Sequence, residues 1–416
     1  MTIEDYAAST DLRIAEPLPA AAKLLYRVLA NIDSGVLSFT SPDGRTTTFK
    51  GAHDGPHADL RITDWAVARE VLKSAEFGLA ECYRDHRAFT SNLTAFLQLC
   101  AVNERALQTV FYARPLVALF FRLKHMLRGN TRSGSKKNIA AHYDLSNDFY
   151  RLWLDKTMTY SAALFEGDKS RSLEAAQTAK YERILSVLAP QPGQSILEIG
   201  CGWGGFAEYA VRTRGVRVHG ITLSKQQLMY AAQRIDAAGL AQSATFEFID
   251  YRDVTAQFDH IVSVEMFEAV GERFWPTYFS AVYERLKPGG RAVIQTITID
   301  ERAFPRYRST SDFIREYIFP GGMLAPVARF IKDANAAGLD AGAPYMFGVD
   351  YAETLSRWHV GVNTAIEDIK RLGFDDKFLQ LWRFYLSYCE AGFRAGRTDV
   401  MQIMLSRALR QQPDAR

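Results

Sequence analysis

The chain has 416 residues, of which 48% are hydrophobic and 23% charged, and its formal net charge is +3. This composition excludes a mainly disordered protein and predicts a globular chain of two or three domains. Because the net charge is close to zero, it excludes no class of binding partner. The four cysteines have no paired spacing, which argues against a zinc site or a disulfide framework. No apolar run follows Glu4 and Asp5, and PLVALFF is far shorter than the about 20 residues that span a bilayer, so we expect a cytoplasmic location without a signal peptide.

The N-terminal part of the chain predicts a mixed α and β domain. The segment GVLSFTSPDGRTTTFKG alternates apolar and polar residues around a Pro-Asp-Gly turn, which is typical of a β-hairpin. DLRITD predicts a further strand. The spacing of apolar residues in WAVAREVLKSAEFGLAECY predicts a helix.

The segment from Arg105 to Tyr143 contains no Asp or Glu, although it carries eight Lys or Arg residues. Its first half is apolar and aromatic, and its second half, RGNTRSGSKKN, is typical of a flexible basic linker. This combination suits the surface of an anionic bilayer, where each Lys or Arg adds about 1 kcal/mol. A solvated linker beside a core helix is the alternative. No nucleic-acid partner is expected, because the aromatic residues are not interleaved with the charges.

Between residues 190 and 300, strands and helices alternate. SILEIG, VRVHGITLS, ATFEFID and HIVSVEM are predicted strands, and GGFAEYAVRTR and KQQLMYAAQRIDAAG are predicted helices. TYFSAVYERLKPGGRAVIQTITI predicts a helix, a turn and a strand. Such alternation is typical of an α/β domain with a doubly wound, mostly parallel sheet. The C-terminal third is predicted to be largely helical, through to KFLQLWRFYLSYCEAGFRAGRTDVMQIMLSRAL.

Four glycines follow the first of these strands, in the sequence GCGWGG at 200–205. Glycine lets a ligand approach the main chain, and a helix that starts there points its N–H groups at the ligand. Preceded by Glu198, this stretch fits the dinucleotide-binding pattern G-x-G-x-x-G poorly, and no phosphate-loop motif G-x-x-x-x-G-K-[ST] occurs. Glu198 before G-x-G-x-G is instead typical of the S-adenosylmethionine-dependent methyltransferase fold, with Asp250 at a later strand end near the adenine. The alternative is a turn that only packs a helix against the sheet.

Longer motifs point to one family. They occur in the family's order over residues 138–410: NIAAHYDLSNDFYRLWLDKTMTYSAALFEG, LEIGCGWGGFAEYA, GITLSKQQ, DYRD, FDHIVSVEMFEAVGE, EYIFPGG, FGVDYAETL and YLSYCEAGFRAG. Through them the chain resembles the cyclopropane-fatty-acyl-phospholipid synthases, which include the mycolic acid cyclopropane synthases. The resemblance implies a sterol-carrier-like α+β lipid-binding domain at 1–125, a basic linker at 126–140 and a Rossmann-like methyltransferase domain at 141–416.

The implied activity is transfer of a one-carbon group from S-adenosylmethionine to the cis double bond of an unsaturated phospholipid acyl chain, forming a cyclopropane fatty acid. One alternative is a fatty-acyl C-methyltransferase with a methyl-branched or methylene product, such as a furan fatty acid precursor. A non-catalytic lipid carrier and a small-molecule N- or O-methyltransferase are the others. The resemblance also implies a homodimer, and with the basic segment we expect peripheral association with the inner face of the membrane.

The resemblance further implies which residues form the site. Contacts to the cofactor are expected from Tyr160, Ser161, Gly200, Gly202, Gly204, Thr222 and Gln227, with Tyr251 and Arg252 beside the adenine. Cys389 is a further catalytic candidate because the family also has Cys there. Without a neighbouring His motif, packing beside the acyl channel is the stronger expectation for this thiol.

The reaction needs a base, because methylation of an alkene leaves a carbocation that must lose a proton, and the base's position decides the product. In the family a bicarbonate ion is the base, held by Cys, Glu, His, Ile and Tyr. Here the Cys and His positions are Ala162 and Gln295, whereas Glu268, Ile297 and Tyr351 remain. Bicarbonate binding is therefore uncertain. An anion held by Gln295, Tyr351 and backbone N–H groups, Glu268 itself as base, and methylation without ring closure are three open alternatives.

Overall fold

The computed structural model describes residues 18–111 and 145–409, which fall into two compact units divided between Ala113 and Arg114. The expected linker at 126–140 and most of the acid-free segment lie outside the described residues. Across the two described ranges, no helix is both long and apolar enough to cross a bilayer.

The first unit combines a four-stranded sheet with helices. Its elements are α1 (Ala20–Leu29), β1 (Ser34–Thr40), β2 (Thr46–Lys50), β3 (His53–Ile62), α2 (Ala66–Ser74), α3 (Glu76–Arg84), β4 (Ala88–Phe89), α4 (Leu93–Val102) and α5 (Glu104–Phe111). The strand order is β2-β1-β3-β4, with β1 antiparallel to β2 and parallel to β3. The predicted hairpin is thus confirmed as β1 and β2, and the predicted strand DLRITD forms part of β3.

The predicted helix at 65–83 is two helices. Ala75 has a φ of +47°, which breaks the helix between α2 and α3. At Gly78 an added Cβ would lie 2.3 Å from the carbonyl oxygen of Glu70, so the two helices meet where only glycine fits. Apolar spacing predicted the helical character but carried no signal for this break.

The second unit is the larger one. Its elements are α6 (Asn147–Arg151), α7 (Leu173–Leu188), β5 (Ser195–Ile199), α8 (Gly205–Arg214), β6 (Arg217–Thr222), α9 (Lys225–Ala237), β7 (Ala244–Phe248), β8 (Phe258–Val264), short 3-10 turns at Phe267–Ala269 and Glu272–Phe274, α10 (Trp275–Arg285), β9 (Leu286–Ile299), α11 (Phe304–Ser309), a π-helical turn at Ile314–Ile318, α12 (Val327–Ala336), β10 (Leu339–Ala341), β11 (Tyr345–Met346), α13 (Gly348–Thr364), α14 (Ile366–Arg371), α15 (Asp376–Arg394) and β12 (Thr398–Arg407).

These strands form one sheet in the order β10-β12-β9-β8-β5-β6-β7, with β11 paired to β12. The five strands from β9 to β7 are mutually parallel, as the alternation predicted. Ile196 and Leu197 of β5 belong to different core clusters, so both faces of the sheet are covered. The carboxyl ends of the parallel strands therefore meet at one edge, where a ligand site is expected.

The C-terminal third is largely helical, as predicted, but its last segment is a strand that the sequence did not predict. Helix α15 ends at Arg394, Gly396 takes a φ of +66°, and the chain continues as β12, antiparallel to β9. Glycine in the left-handed conformation is a common helix stop. The segment TDVMQIMLSR is rich in apolar residues but too short to show a clear period, and its pairing with β9 decides for a strand.

Candidate active site

The glycine turn after β5 lies at the carboxyl edge of the sheet. Gly200, Gly202 and Gly204 have φ values of +84°, +51° and +79°, a left-handed conformation that only glycine adopts cheaply. An added Cβ at Gly200 would meet Met266 at 3.0 Å, and one at Gly204 would meet Ala231 at 3.1 Å. An added Cβ at Gly202 would meet nothing within 4 Å. The turn is thus packed on two sides and open at Gly202, beside the N-terminus of α8.

Glu198, two residues before this turn, is buried on β5 with 3% of its surface exposed. Its Oε2 has no hydrogen-bond partner among the described residues, and burial raises the pKa of the carboxyl well above its ordinary value. A buried carboxylate oxygen without a donor is costly, and an ammonium group would supply the missing partner. The open turn and this oxygen together fit the amino acid part of the expected cofactor.

Thr222 and Gln227 lie at the next strand end and are both buried. The Thr222 hydroxyl donates to Oε1 of Gln227 at 2.9 Å and accepts from the Ser224 backbone N–H at 3.1 Å. The Ser224 hydroxyl accepts from the Gln227 N–H and so caps α9. These bonds fix the start of α9 next to the glycine turn, as a contact role would require.

Asp250 follows β7 and is bound to Arg252 of the same loop. The Arg252 guanidinium donates to both carboxylate oxygens, at 2.8 and 2.6 Å, and this pairing raises the pKa of Arg252. The guanidinium also lies 5.5 Å from the Tyr251 ring and 5.6 Å from the Phe274 ring. The structure therefore brings together the three residues expected near the adenine, as a half-buried wall of aromatic and charged groups.

The segment that carries Tyr160, Ser161 and Ala162 is held in place by α13. Asp350 of that helix accepts the backbone N–H groups of Phe165 and Glu166, at 2.8 and 3.0 Å. The Tyr160 hydroxyl lies 2.6 Å from the Tyr385 hydroxyl of α15. Since side chains of two helices hold this segment, its position beside the sheet edge is well defined.

A carboxylate lies at the centre of this region. Glu265, directly after β8, accepts hydrogen bonds from the Ala162 backbone N–H at 2.8 Å, the Gln295 side-chain amide at 2.7 Å and the Tyr351 hydroxyl at 2.6 Å. Two of the expected catalytic residues and the altered Ala162 position thus meet around a glutamate that the sequence marked only as a supporting neighbour of Glu268. The orientation of Gln295 is fixed by Gln402 of β12, whose amide donates to Gln295 Oε1 at 2.9 Å.

Glu268 lies close by but has different partners. Its Oε1 accepts from the Ile297 backbone N–H at 2.5 Å and from the Thr296 hydroxyl at 3.0 Å. Its Oε2 has no partner among the described residues. Burial, and then the charge of Glu265, raise the pKa of Glu268 to about 8, so this carboxyl carries its proton at neutral pH.

A fully buried lysine completes the cluster. The Lys180 ammonium of α7 donates to the Ser161 hydroxyl at 2.6 Å, and burial lowers its pKa to about 7. Its charge and that of Glu265 favour each other. Burial raises the pKa of Glu265, while Lys180 and the three hydrogen-bond donors oppose that rise. Ser161 is therefore bound to the lysine whose charge acts on Glu265.

Aromatic rings connect the glycine turn to this cluster. Ring centroids lie 5.0 Å apart for Trp203 and Tyr150, 5.4 Å for Tyr150 and Tyr160, 5.2 Å for Tyr160 and Trp358, and 6.1 Å for Trp358 and Tyr351. Tyr160 is only partly buried, so it also borders accessible space. Ring faces in such a wall can stabilise a passing cation.

Cys389 lies one helical turn beyond Tyr385 on α15. Burial raises the pKa of its thiol, so the thiol stays protonated and is a weak nucleophile and base. This environment fits the packing role that was expected for Cys389 better than a catalytic one.

Sequence reasoning missed two members of the site, Lys180 and Gln402, and gave Glu265 only a supporting role beside Glu268. Glu265 had a usable signal, since it stands three residues before Glu268 in a chain that lacks two of the family's bicarbonate ligands. Lys180 and Gln402 had none, because each joins the site only through tertiary packing.

Comparison with known proteins gives consistent matches. The family described as mycolic acid cyclopropane synthetase matches residues 130–403. Tuberculostearic acid methyltransferase UfaA1 of Mycobacterium tuberculosis is 38% identical, over 94% of this chain and 93% of its own length. Cyclopropane-fatty-acyl-phospholipid synthase of Escherichia coli K12 is 33% identical, over 85% and 88%. The crystal structure of mycolic acid cyclopropane synthase CmaA1 with SAH and CTAB superposes with a TM-score of 0.62 at 32% identity, covering 65% of this chain and 98% of CmaA1.

Proposed function

The chain belongs to the mycolic acid cyclopropane synthetase family and is an S-adenosylmethionine-dependent methyltransferase of fatty acyl chains, and we propose that its acceptor is the cis double bond of an unsaturated phospholipid acyl chain. The observation that carries this proposal is the open glycine turn at Gly202, joined by a wall of aromatic rings to a buried carboxylate cluster. The lipid-carrier alternative is set aside, because the matching relatives are enzymes.

The cofactor is proposed to lie along the carboxyl edge of the sheet. The residues fit it: the turn is open at Gly202, and Glu198 offers a buried oxygen to the ammonium group of the methionine part. Thr222 lies at the next strand end, and Asp250 with Arg252 lies at the one after, where the adenosine part would extend. When bound, S-adenosylmethionine supplies a methyl group on a positively charged sulfur, which is a strong electrophile.

The protein has two tasks in the transfer step. The aromatic wall and the covered sheet edge exclude water, so the weakly nucleophilic alkene does not compete with solvent. A bound cofactor would offer its methyl carbon to the π electrons of the alkene, and the electron pair of the C–S bond would leave with the sulfur. The positive charge then on the acyl chain is stabilised by the ring face of Tyr160, the partly exposed ring of this wall, by about 2 kcal/mol where solvent is excluded.

Proton loss then decides between isomeric products. Loss from the added methyl group closes a cyclopropane ring, or gives a methylene branch after a hydride shift along the chain. Loss from a neighbouring chain carbon gives a methyl-branched alkene. We place the branched product first, because the match to a tuberculostearic acid methyltransferase spans 94% of this chain. The ring product is the second candidate, because the match to a cyclopropane-fatty-acyl-phospholipid synthase spans 85%.

Contact with the membrane is proposed to involve the acid-free segment 105–143, of which the structure describes residues 105–111 only. The support is its basic and apolar composition. Flotation with anionic vesicles, and much weaker flotation with zwitterionic vesicles, is the expected result. Equal binding to both would contradict an electrostatic contact.

The proposed function is tested with purified protein, S-adenosylmethionine labelled in its methyl group, and vesicles of an unsaturated phospholipid. Label is expected in the extracted lipid, and fully saturated phospholipid is the matched control that should stay unlabelled. Label in the saturated lipid would place the methyl group elsewhere than at a double bond. Label that remains in the aqueous phase would contradict a lipid acceptor.

A further inference from the structure

We propose that the carboxylate of Glu265 takes the place of bicarbonate in this enzyme and accepts the proton that the methylated acyl chain loses. The inference rests on the proposed function and goes beyond it, because it assigns the base to the chain itself. Its starting point is the set of three donors that converge on Glu265.

These donors stand at three positions that bind bicarbonate in the family resembled. The Cys position is Ala162, the His position is Gln295, and Tyr351 is unchanged. Each now donates to a Glu265 oxygen, at 2.8, 2.7 and 2.6 Å. The anion that these donors hold is thus the Glu265 side chain. With this carboxylate in the site, the Cys and His side chains that hold a bound ion in the family are no longer needed.

The two other family positions are occupied as well. The Ile297 N–H donates to Glu268 at 2.5 Å, so this backbone donor is also bound to a carboxyl oxygen of the chain. A bicarbonate ion at this place would find its donors already used. It would also lie against Glu265, whose like charge disfavours it. The residues present therefore do not fit bicarbonate.

The backbone of Glu265 gives a second, independent indication. Its φ is +51°, in the left-handed region that residues other than glycine rarely adopt. Such a conformation persists where its surroundings determine it, and it is often found at functional sites. The residue as a whole is half-buried. The unusual backbone therefore occurs at the residue on which the three donors converge.

Two neighbours of Glu265 favour the charged form that a base needs. The Gln295 amide is turned towards Glu265 because its own oxygen accepts from Gln402, and Lys180 contributes a buried positive charge. Burial raises the pKa of Glu265, which makes the carboxylate more basic than one in water. A carboxylate with these neighbours is poised to take a proton.

The step balances as follows. A C–H bond breaks, either in the added methyl group or on a chain carbon next to the cationic carbon. Its electron pair closes the ring in the first case and forms a double bond in the second. The proton goes to Glu265, which becomes a neutral carboxylic acid. Oε2 is the accepting oxygen, since it has one donor, Tyr351, whereas Oε1 has two. Release of the proton to solvent restores the carboxylate for the next turnover.

The test uses Glu265→Gly and Glu265→Gln in buffers freed of carbon dioxide. Glycine accepts the φ of +51° and leaves the three donors without their anion, whereas glutamine keeps the site filled. Both variants are expected to lose about 100-fold or more in kcat, with the Kd for S-adenosylmethionine and the melting temperature little changed. Added bicarbonate is expected to restore about tenfold or more of the activity of Glu265→Gly only, and to leave the wild type unaffected.

Strong stimulation of the wild type by bicarbonate, or a near-normal rate for either variant, would overturn the inference. A separate arm needs no turnover: bicarbonate binding, measured by calorimetry, is expected for Glu265→Gly and absent for the wild type. Equal binding to both proteins would also overturn it. If the wild type labels no lipid, the proposed function fails, and the calorimetric result still decides whether Glu265 occupies the anion site.

Discussion

Substitution of Gly202 by Asp is expected to abolish cofactor binding while the fold stays intact. A Cβ at this position meets no protein atom within 4 Å, so the new side chain enters the space that the turn leaves open. If that space belongs to the cofactor, the aspartate excludes it and adds a negative charge near the carboxylate of its methionine part.

Gly193 provides a matched control at the other end of the same strand. Its φ is +81°, and an added Cβ there also meets nothing within 4 Å. Gly193 precedes β5 and Gly202 follows it, so the length of the strand, about 16 Å, separates the two sites. Both substitutions place a side chain in a left-handed backbone, at a cost of about 1 to 2 kcal/mol. The two variants should therefore be similarly destabilised, by about 2 to 8 °C in melting temperature.

The two variants are expected to differ in their affinity for S-adenosylmethionine although they are similar in stability. Isothermal titration with S-adenosylmethionine is expected to show wild-type affinity for Gly193→Asp and a loss of at least about 100-fold for Gly202→Asp, which corresponds to about 2.7 kcal/mol. Retained binding by Gly202→Asp would refute the assignment of the turn. An equal loss in both variants would show that strain in the strand, and not the open space, controls binding.

Three further substitutions test the carboxylate cluster and its surroundings. The pKa of Glu268 is raised from 4.5 to about 8 in the folded protein, so the stabilising contribution of this carboxyl is present at low pH and is lost as the pH rises from 4.5 to about 8. Over this pH range the free energy of unfolding of the wild type should fall, relative to that of Glu268→Gln, by up to about 1.4 kcal/mol per pH unit. Urea-denaturation measurements that show the same pH dependence for both proteins would contradict this. Cys389→Ala should keep kcat within about threefold, since the buried thiol stays protonated, and a loss of several orders of magnitude would restore it as a catalytic candidate. Lys180→Met removes a charge that lowers the pKa of Glu265, so the acidic limb of the kcat profile should move to higher pH; an unmoved limb would separate Lys180 from the base.

The parts of the site that the sequence predicted are the local ones. The glycine turn and the strand before it lie within a few residues of each other. Their amino-acid sequence alone indicated the tight turn in which Gly200, Gly202 and Gly204 lie. The same holds for the strand ends at Thr222 and Asp250. Alternating strands and helices also predicted the parallel sheet, because each strand needs a helix to return to the same edge.

The parts that the sequence did not predict depend on tertiary contacts. The role of Glu265 depends on its hydrogen-bond donors at positions 162, 295 and 351, and no local sequence pattern shows that these positions converge. The strand β12 was missed for the same reason, since its pairing partner β9 lies about a hundred positions earlier. The break at Ala75 follows from close packing of two helices, which apolar spacing does not encode.

The most direct test of the account follows the methyl group itself. Unsaturated phospholipid is incubated with the enzyme and S-adenosylmethionine whose methyl group carries deuterium, and the acyl chains are then fragmented in a mass spectrometer. The account predicts deuterium in the acyl chain at a carbon of the former double bond, in a chain that is one carbon larger. Deuterium in the head group, or acyl chains that remain unchanged while the cofactor is consumed, would contradict it.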